Sequence, residues 1–167
     1  GICFVGEKNL KDFLNRFIEF KKGNIKDENN NVIGQHQGAI LYTQGQRQGL
    51  MIGGVKGKEE LPWYVYKKDI PNNEIYVCQG GDNELLMNKG LYVEDINYIN
   101  DIEYKYPIKC SIQVRHQHTP VNCTVEKLSN EYKVMFEEPI RAIAPGQSAV
   151  FYDNEICLGG GVICKTF

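Results

Sequence analysis

Of the six cysteines in this chain, Cys3 stands apart, between glycines 1 and 6 in the opening GICFVGE and ahead of the first periodic segment. A cysteine acts as nucleophile or sulfur carrier only as thiolate, which needs some exposure and a polar or positive surrounding. The start of a helix supplies backbone N–H groups that lower a thiol pKa, and Cys3 precedes a predicted helix. The other reading of Cys3 is a buried structural thiol. Cys78, Cys110, Cys123, Cys157 and Cys164 lie in apolar or alternating runs, as free cysteines of a reduced protein do. No C-x-x-C pair occurs, so a structural zinc site has no support.

Three further stretches carry polar groups that a bland fold does not need. Residues 36–54, HQGAILYTQGQRQGLMIGG, combine five glycines with Gln44, Gln46, Arg47 and Gln48. Such a loop can approach a polyanion closely, with Arg47 for phosphate or stacking, although it is neither a GxxxxGK[ST] loop nor GxGxxG. In VRHQHTP, 114–120, Arg115, His116 and His118 mark a strand end, with both histidines expected on one strand face. No third ligand accompanies them, so no metal is expected, and a nucleic-acid backbone with a stacked base suits them better. In RAIAPGQSAVFYDNEICLGGGVI, 141–163, the Pro145-Gly146 turn should project Gln147 toward a base edge or phosphate. The triple glycine 159–161 predicts a bulge or a close backbone approach. A dyad of Cys3 with His36 is conceivable but has no supporting local signature.

The elements that hold these residues read as mainly β. Leu10, Phe13, Leu14, Phe17 and Ile18 give one apolar stripe, predicting a helix over 7–22 that Gly23 stops. NIKDENNNVIGQH predicts two strands about an Asn-rich turn, AILYT a further strand, and PWYVYKKD with NEIYVCQ a hairpin. From Leu85 about six short strands follow at regular spacing, the pattern of a small closed antiparallel barrel. QGGDNE at 79–84 is the expected break, giving a small central domain with one N-terminal helix, 7–82, and a β-barrel, 83–167. A net charge of −2 excludes a strongly basic binder but not local clusters of Arg and Lys. No run of 18 apolar residues and no signal-like N-terminus is present.

GICFVGE, IGQHQGAILYTQGQRQGLMIGG, PWYVYKKDIPNNEIYV and EEPIRAIAPGQSAVFYDNEICLGGGVI, in this order, closely resemble the C-terminal part of the bacterial tRNA-specific 2-thiouridylases. The resemblance covers essentially the whole chain. It implies an enzyme that thiolates the wobble uridine of tRNA at C2 through a two-cysteine sulfur relay. By resemblance Cys3 carries the persulfide and can pair in a disulfide with an upstream cysteine, and residues 1–6 are what remains of an ATP-binding domain. Gly1 is then expected to be a cut end, ATP to be bound outside this chain, and the 167 residues alone to be inactive. The resemblance places Arg115, His116 and Gln147 at tRNA contacts; the family more often has Tyr where this chain has His116. The GQRQGL loop, with Gln46 and Arg47, falls beside the reaction site or the tRNA. The partners implied are tRNA and a persulfide sulfur-donor protein, with no membrane and no DNA, in the cytoplasm. The barrel is implied to be similar to those of translation factors, which keeps a rival open: a non-catalytic RNA-binding barrel module in which Cys3 is incidental.

Overall fold

The computed structural model describes residues 13–54, 57, 60–100, 102–116 and 118–167. The chain divides into two compact units between Asn83 and Glu84. Most of the described residues that form regular structure are in strands.

The first unit is a four-stranded sheet of β1 (Gly23–Lys26), β2 (Val32–His36), β3 (Trp63–Asp69) and β4 (Glu74–Gln79), in the order β2-β1-β4-β3. Two antiparallel hairpins are joined by a parallel pairing of β1 with β4. The first hairpin turns on Asp27, whose Oδ1 accepts the Asn29 and Asn31 amides, each at 2.9 Å. Asn30 takes a φ of 63° there, which an Asn tolerates better than most residues. Alternation places Trp63 and Val65 inside and Tyr64 and Tyr66 at the partly exposed face. Ile25, Val65, Ile75 and Val77 form the fully buried centre of this sheet.

Two expectations need correction in this unit. The helix expected over 7–22 lies partly outside the described residues. Within them only Phe13 and Leu14 are helical, and a turn closes by Phe17. The Ile18 amide still bonds the Leu14 carbonyl, but the carbonyls of Lys21 and Lys22 accept the Asn73 side-chain amide, at 2.9 and 3.2 Å. That tertiary bonding overrides a helical stripe whose Phe17 is left exposed. AILYT is no strand: Ala39–Leu41 form a 3-10 turn, with the Ala39 amide bound to Asn73 Oδ1 at 3.0 Å. Asn73 therefore ties three segments with one side chain.

The second unit is the closed barrel, built of β5 (Met87–Tyr98), β6 (Ile108–Gln113), β7 (Val121–Lys127), β8 (Tyr132–Arg141), β9 (Ser148–Asp153) and β10 (Ile156–Thr166). Their order is β10-β5-β8-β7-β6-β9, every pairing is antiparallel, and β9 closes on β10. Closure removes the exposed edges that an open sheet must protect. Inward residues fill the interior, with Leu91, Val93, Ile112, Val134, Ala149, Phe151 and Ile163 at 1% exposure or less. The glycine triplet does bring backbones together. Gly159 has a φ of 147°, and a Cβ there would overlap the Asn97 carbonyl oxygen of β5. The β9–β10 register shifts between Cys157 and Gly159, as a bulge requires.

Candidate nucleic-acid interface

In the barrel, Arg115 and Gln147 come to the same rim. β6 pairs with β9 with Gln113 opposite Val150, so the chain leaving β6 and the chain entering β9 are neighbours at that end. Past Gln113 the backbone turns, with the His118 amide bonded to the Arg115 carbonyl at 3.0 Å. His116 and His118 therefore sit on a turn and share no strand face, contrary to the sequence expectation. The turn holds because Gln113 Nε2 donates to the carbonyls of His116 and His118, at 3.1 and 2.7 Å. Tyr152 in turn donates to Gln113 Oε1 at 3.3 Å.

Arg115 is half-buried, and its Nη2 donates to the Ala142 carbonyl at 2.7 Å. Ala142 has a φ of 52°, rare for a residue with a Cβ, and its amide bonds the Leu86 carbonyl at 2.7 Å. That backbone twist is part of what turns a carbonyl toward the guanidinium. One of five N–H donors is used in this way, which orients the planar group. His116 is exposed beside it. Arg141, at the end of β8, adds a second guanidinium on this rim. The sequence reading passed over both Ala142 and Arg141; the signal was an Arg-Ala pair just before the Pro-Gly turn.

Gln147 follows a turn with Pro145 second and Gly146 third, Gly146 at a φ of 88°, the positive value that a type II turn demands there. The turn is anchored on β10 through Gly146 N to Ile163 O and Ile163 N to Gln147 O, both 2.8 Å. Pro145 and Gly146 are the exposed tip. The Gln147 side chain lies half-buried, and its Oε1 is buried with no hydrogen-bond partner among the described residues.

In the first unit, the loop 43–50 separates two neighbours of similar promise. Gln46 Oε1 accepts the Thr43 amide at 2.9 Å and its Nε2 donates to the Gln48 carbonyl at 2.9 Å, so both ends of its side chain brace the loop. The Gln46 carbonyl and the Gly45 amide bond Val65, at 3.0 and 2.7 Å, docking the loop along the open edge of β3. Arg47 is exposed and lines a cavity of about 640 Å3 with Gly49, Met51, Glu60 and Trp63. Arg47 is the charged group this loop displays, with Gln48 exposed beside it.

Cys3 lies outside the described residues. His36, the other member of the conceivable dyad, is a buried ring. It is 1% exposed, its Nδ1 accepts the Gly38 amide at 3.0 Å, and burial lowers its pKa from 6.5. Among the described residues no cluster of three His, Cys, Asp or Glu side chains is placed to hold a metal ion. No helix among the described residues is long and apolar enough to cross a membrane.

Both units match known families. Residues 11–79 match the tRNA methyl transferase PRC-barrel domain, and residues 88–163 the aminomethyltransferase beta-barrel domain. The tRNA-specific 2-thiouridylase of Pseudomonas fluorescens strain Pf-5 is 47% identical over 163 residues, covering 98% of this chain and 43% of that protein. That of Buchnera aphidicola from Schizaphis graminum is 46% identical over 165 residues, 98% of this chain and 45% of its own length. The Vibrio cholerae protein of the same name is 45% identical over 164 residues, with 98% and 44% covered. The chain thus spans less than half the length of the curated relatives it matches. With both units matched and nearly every residue aligned, the chain belongs to the family of the tRNA-specific 2-thiouridylases.

Proposed function

We propose that this chain is the sulfur-delivering and tRNA-holding part of an enzyme that replaces the C2 oxygen of a wobble uridine in tRNA with sulfur. The observation that carries the reading is the alignment of 98% of the chain with proteins named for that reaction. In this reading Cys3 holds the sulfur as a persulfide, loaded by a sulfur-donor protein. After transfer it is left able to form a disulfide with a cysteine outside the chain, so turnover needs a reducing compartment such as the cytoplasm. ATP supplies activation of the uridine C2 oxygen from a site outside these residues. The 167 residues by themselves are therefore inactive in thiolation.

The barrel rim is the tRNA-holding surface. Arg115, oriented by its bond to the Ala142 carbonyl, offers its remaining N–H groups to a phosphate or base edge. His116 offers an exposed ring for stacking, and Arg141 adds positive charge. The unpartnered Gln147 Oε1 finds its donor on the RNA or on a water the RNA orders. Arg47 serves the same polyanion from the first unit, while Gln46 keeps its loop in shape. The test is tRNA affinity of the full-length protein and its R115A variant across a salt series. R115A should weaken binding by ~1–3 kcal/mol and reduce the salt slope by about one. Equal affinity at low salt would remove the rim from the tRNA site.

A further inference from the structure

The barrel carries a pair of thiols, one in its core and one packed against it, that the tRNA reading does not use. Cys110 of β6 and Cys123 of β7 are direct partners in register, at the middle of the β6–β7 hairpin, with their Sγ atoms 3.7 Å apart. We propose that Cys110 and Cys123 form a dithiol site that takes a low-molecular-weight disulfide as its substrate and is converted by it into a cross-strand disulfide.

Directly opposed residues of an antiparallel pair have Cβ atoms about 4.5–5.5 Å apart. A disulfide uses about 3.5–4.5 Å. The strands thus hold the two side chains close to bonding geometry, and the sulfurs already touch. Cys164 is engaged differently, donating its S–H to the Tyr92 carbonyl at 3.1 Å.

The two thiols are not equivalent. Cys123 is 2% exposed, whereas Cys110 is half-buried, and both border a cavity of about 300 Å3 that also meets Lys109 and Asp153. The hydrogen bond between the two sulfurs favours a Cys110 thiolate and pushes the Cys123 thiol up, burial adding to the latter. Reaction therefore begins at Cys110. Its thiolate attacks one sulfur of R–S–S–R, the S–S bond breaks, and R–S⁻ leaves and takes up the Cys110 proton. Cys123 then loses its proton, and its thiolate attacks the Cys110 sulfur of the mixed disulfide. The second R–S⁻ leaves and takes up the proton that Cys123 released. Two protein thiols are oxidised by two electrons and one R–S–S–R is reduced to two R–SH. The new bond would tie off residues 111–122, the arm that carries Arg115 and His116. The dithiol site does not rest on the tRNA reading, so either can fail alone.

The full chain is incubated with hydroxyethyl disulfide at neutral pH, alkylated, digested and mapped by mass spectrometry. The expected product is a peptide pair joined through Cys110 and Cys123, two hydrogens lighter than the dithiol and restored by dithiothreitol. C123S should retain a hydroxyethylthio group on Cys110, and C110S should acquire one on Cys123 on the order of tenfold more slowly, since its thiol is buried and protonated. Alkylation of both Cys110 and Cys123 in oxidised wild-type protein would overturn the proposal. So would failure of C123S to hold the adduct, or linkage of either cysteine to a different one.

Discussion

In the barrel each of the six strands hydrogen-bonds a neighbour on both sides, whereas the four-stranded sheet leaves β2 and β3 as edges and knits its loops with single side chains. Asp27 closes one hairpin, Gln46 shapes the loop that docks on β3, and Asn73 joins the N-terminal run, the 3-10 turn and the β3–β4 turn. The barrel instead depends on backbone fit, with strands brought so close at β10 that a methyl group has no room. One unit is therefore sensitive to polar side chains and the other to added volume. With its strands paired to each other, the barrel can leave Arg115, His116 and the Pro145-Gly146 tip on its rim.

Gly159→Ala should break the barrel side of this contrast with the largest effect. It adds a Cβ onto the Asn97 carbonyl at a φ of 147°, and destabilisation on the order of 3 kcal/mol or more is expected in urea unfolding followed by circular dichroism. A change within ~0.5 kcal/mol would mean that β10 shifts freely, and that the barrel is not held by backbone fit. Asn73→Ala comes next, at ~1–3 kcal/mol, because it removes side-chain bonds to two other segments, the Lys21–Lys22 run and the 3-10 turn. Trp63 is the single tryptophan and lies in the sheet core, so its fluorescence reports this unit. Asn73→Gly keeps the φ of 53° accessible and removes the same bonds. If Gly restored wild-type stability, backbone conformation and not the bonds would be what Asn73 supplies.

The smallest expected effect is one of pH. Burial depresses the His36 pKa below 6.5, so the folded state holds the ring neutral while the unfolded chain takes up a proton below that value. The stability contributed by neutral His36 is thus fully present above pH 6.5 and is lost as pH falls below it. The urea midpoint read by Trp63 should drop across that range. A midpoint unchanged from pH 7 to 5 would contradict the burial of an uncharged ring.

The sequence made the barrel legible because its strands alternate cleanly and Pro, Asn and Gly punctuate them at regular intervals. The first unit was legible where residues alternated, as in WYVY, and misleading where local pattern met tertiary bonds. Leu14, Phe17 and Ile18 keep helical spacing, yet the next carbonyls are taken by Asn73, some fifty residues away. AILYT has strand composition, but its first amide is fixed by the same side chain. At the candidate site, residue type pointed to Arg115 and Arg47 but could not separate Arg47 from Gln46. That distinction rests on where the Gln46 amide finds its bonds. Nor could it reveal Ala142, whose part is a carbonyl and a φ, or the pairing of Cys110 with Cys123, which requires strand register.

In the proposed function Cys3 delivers sulfur while the rest of the chain holds the tRNA. Cells lacking the endogenous enzyme would carry the full-length gene as wild type or C3S, with wobble 2-thiouridine in total tRNA measured by mass spectrometry. Restoration by wild type and none by C3S is expected at equal protein abundance. Restoration by both would contradict it and leave the chain as an RNA-positioning module.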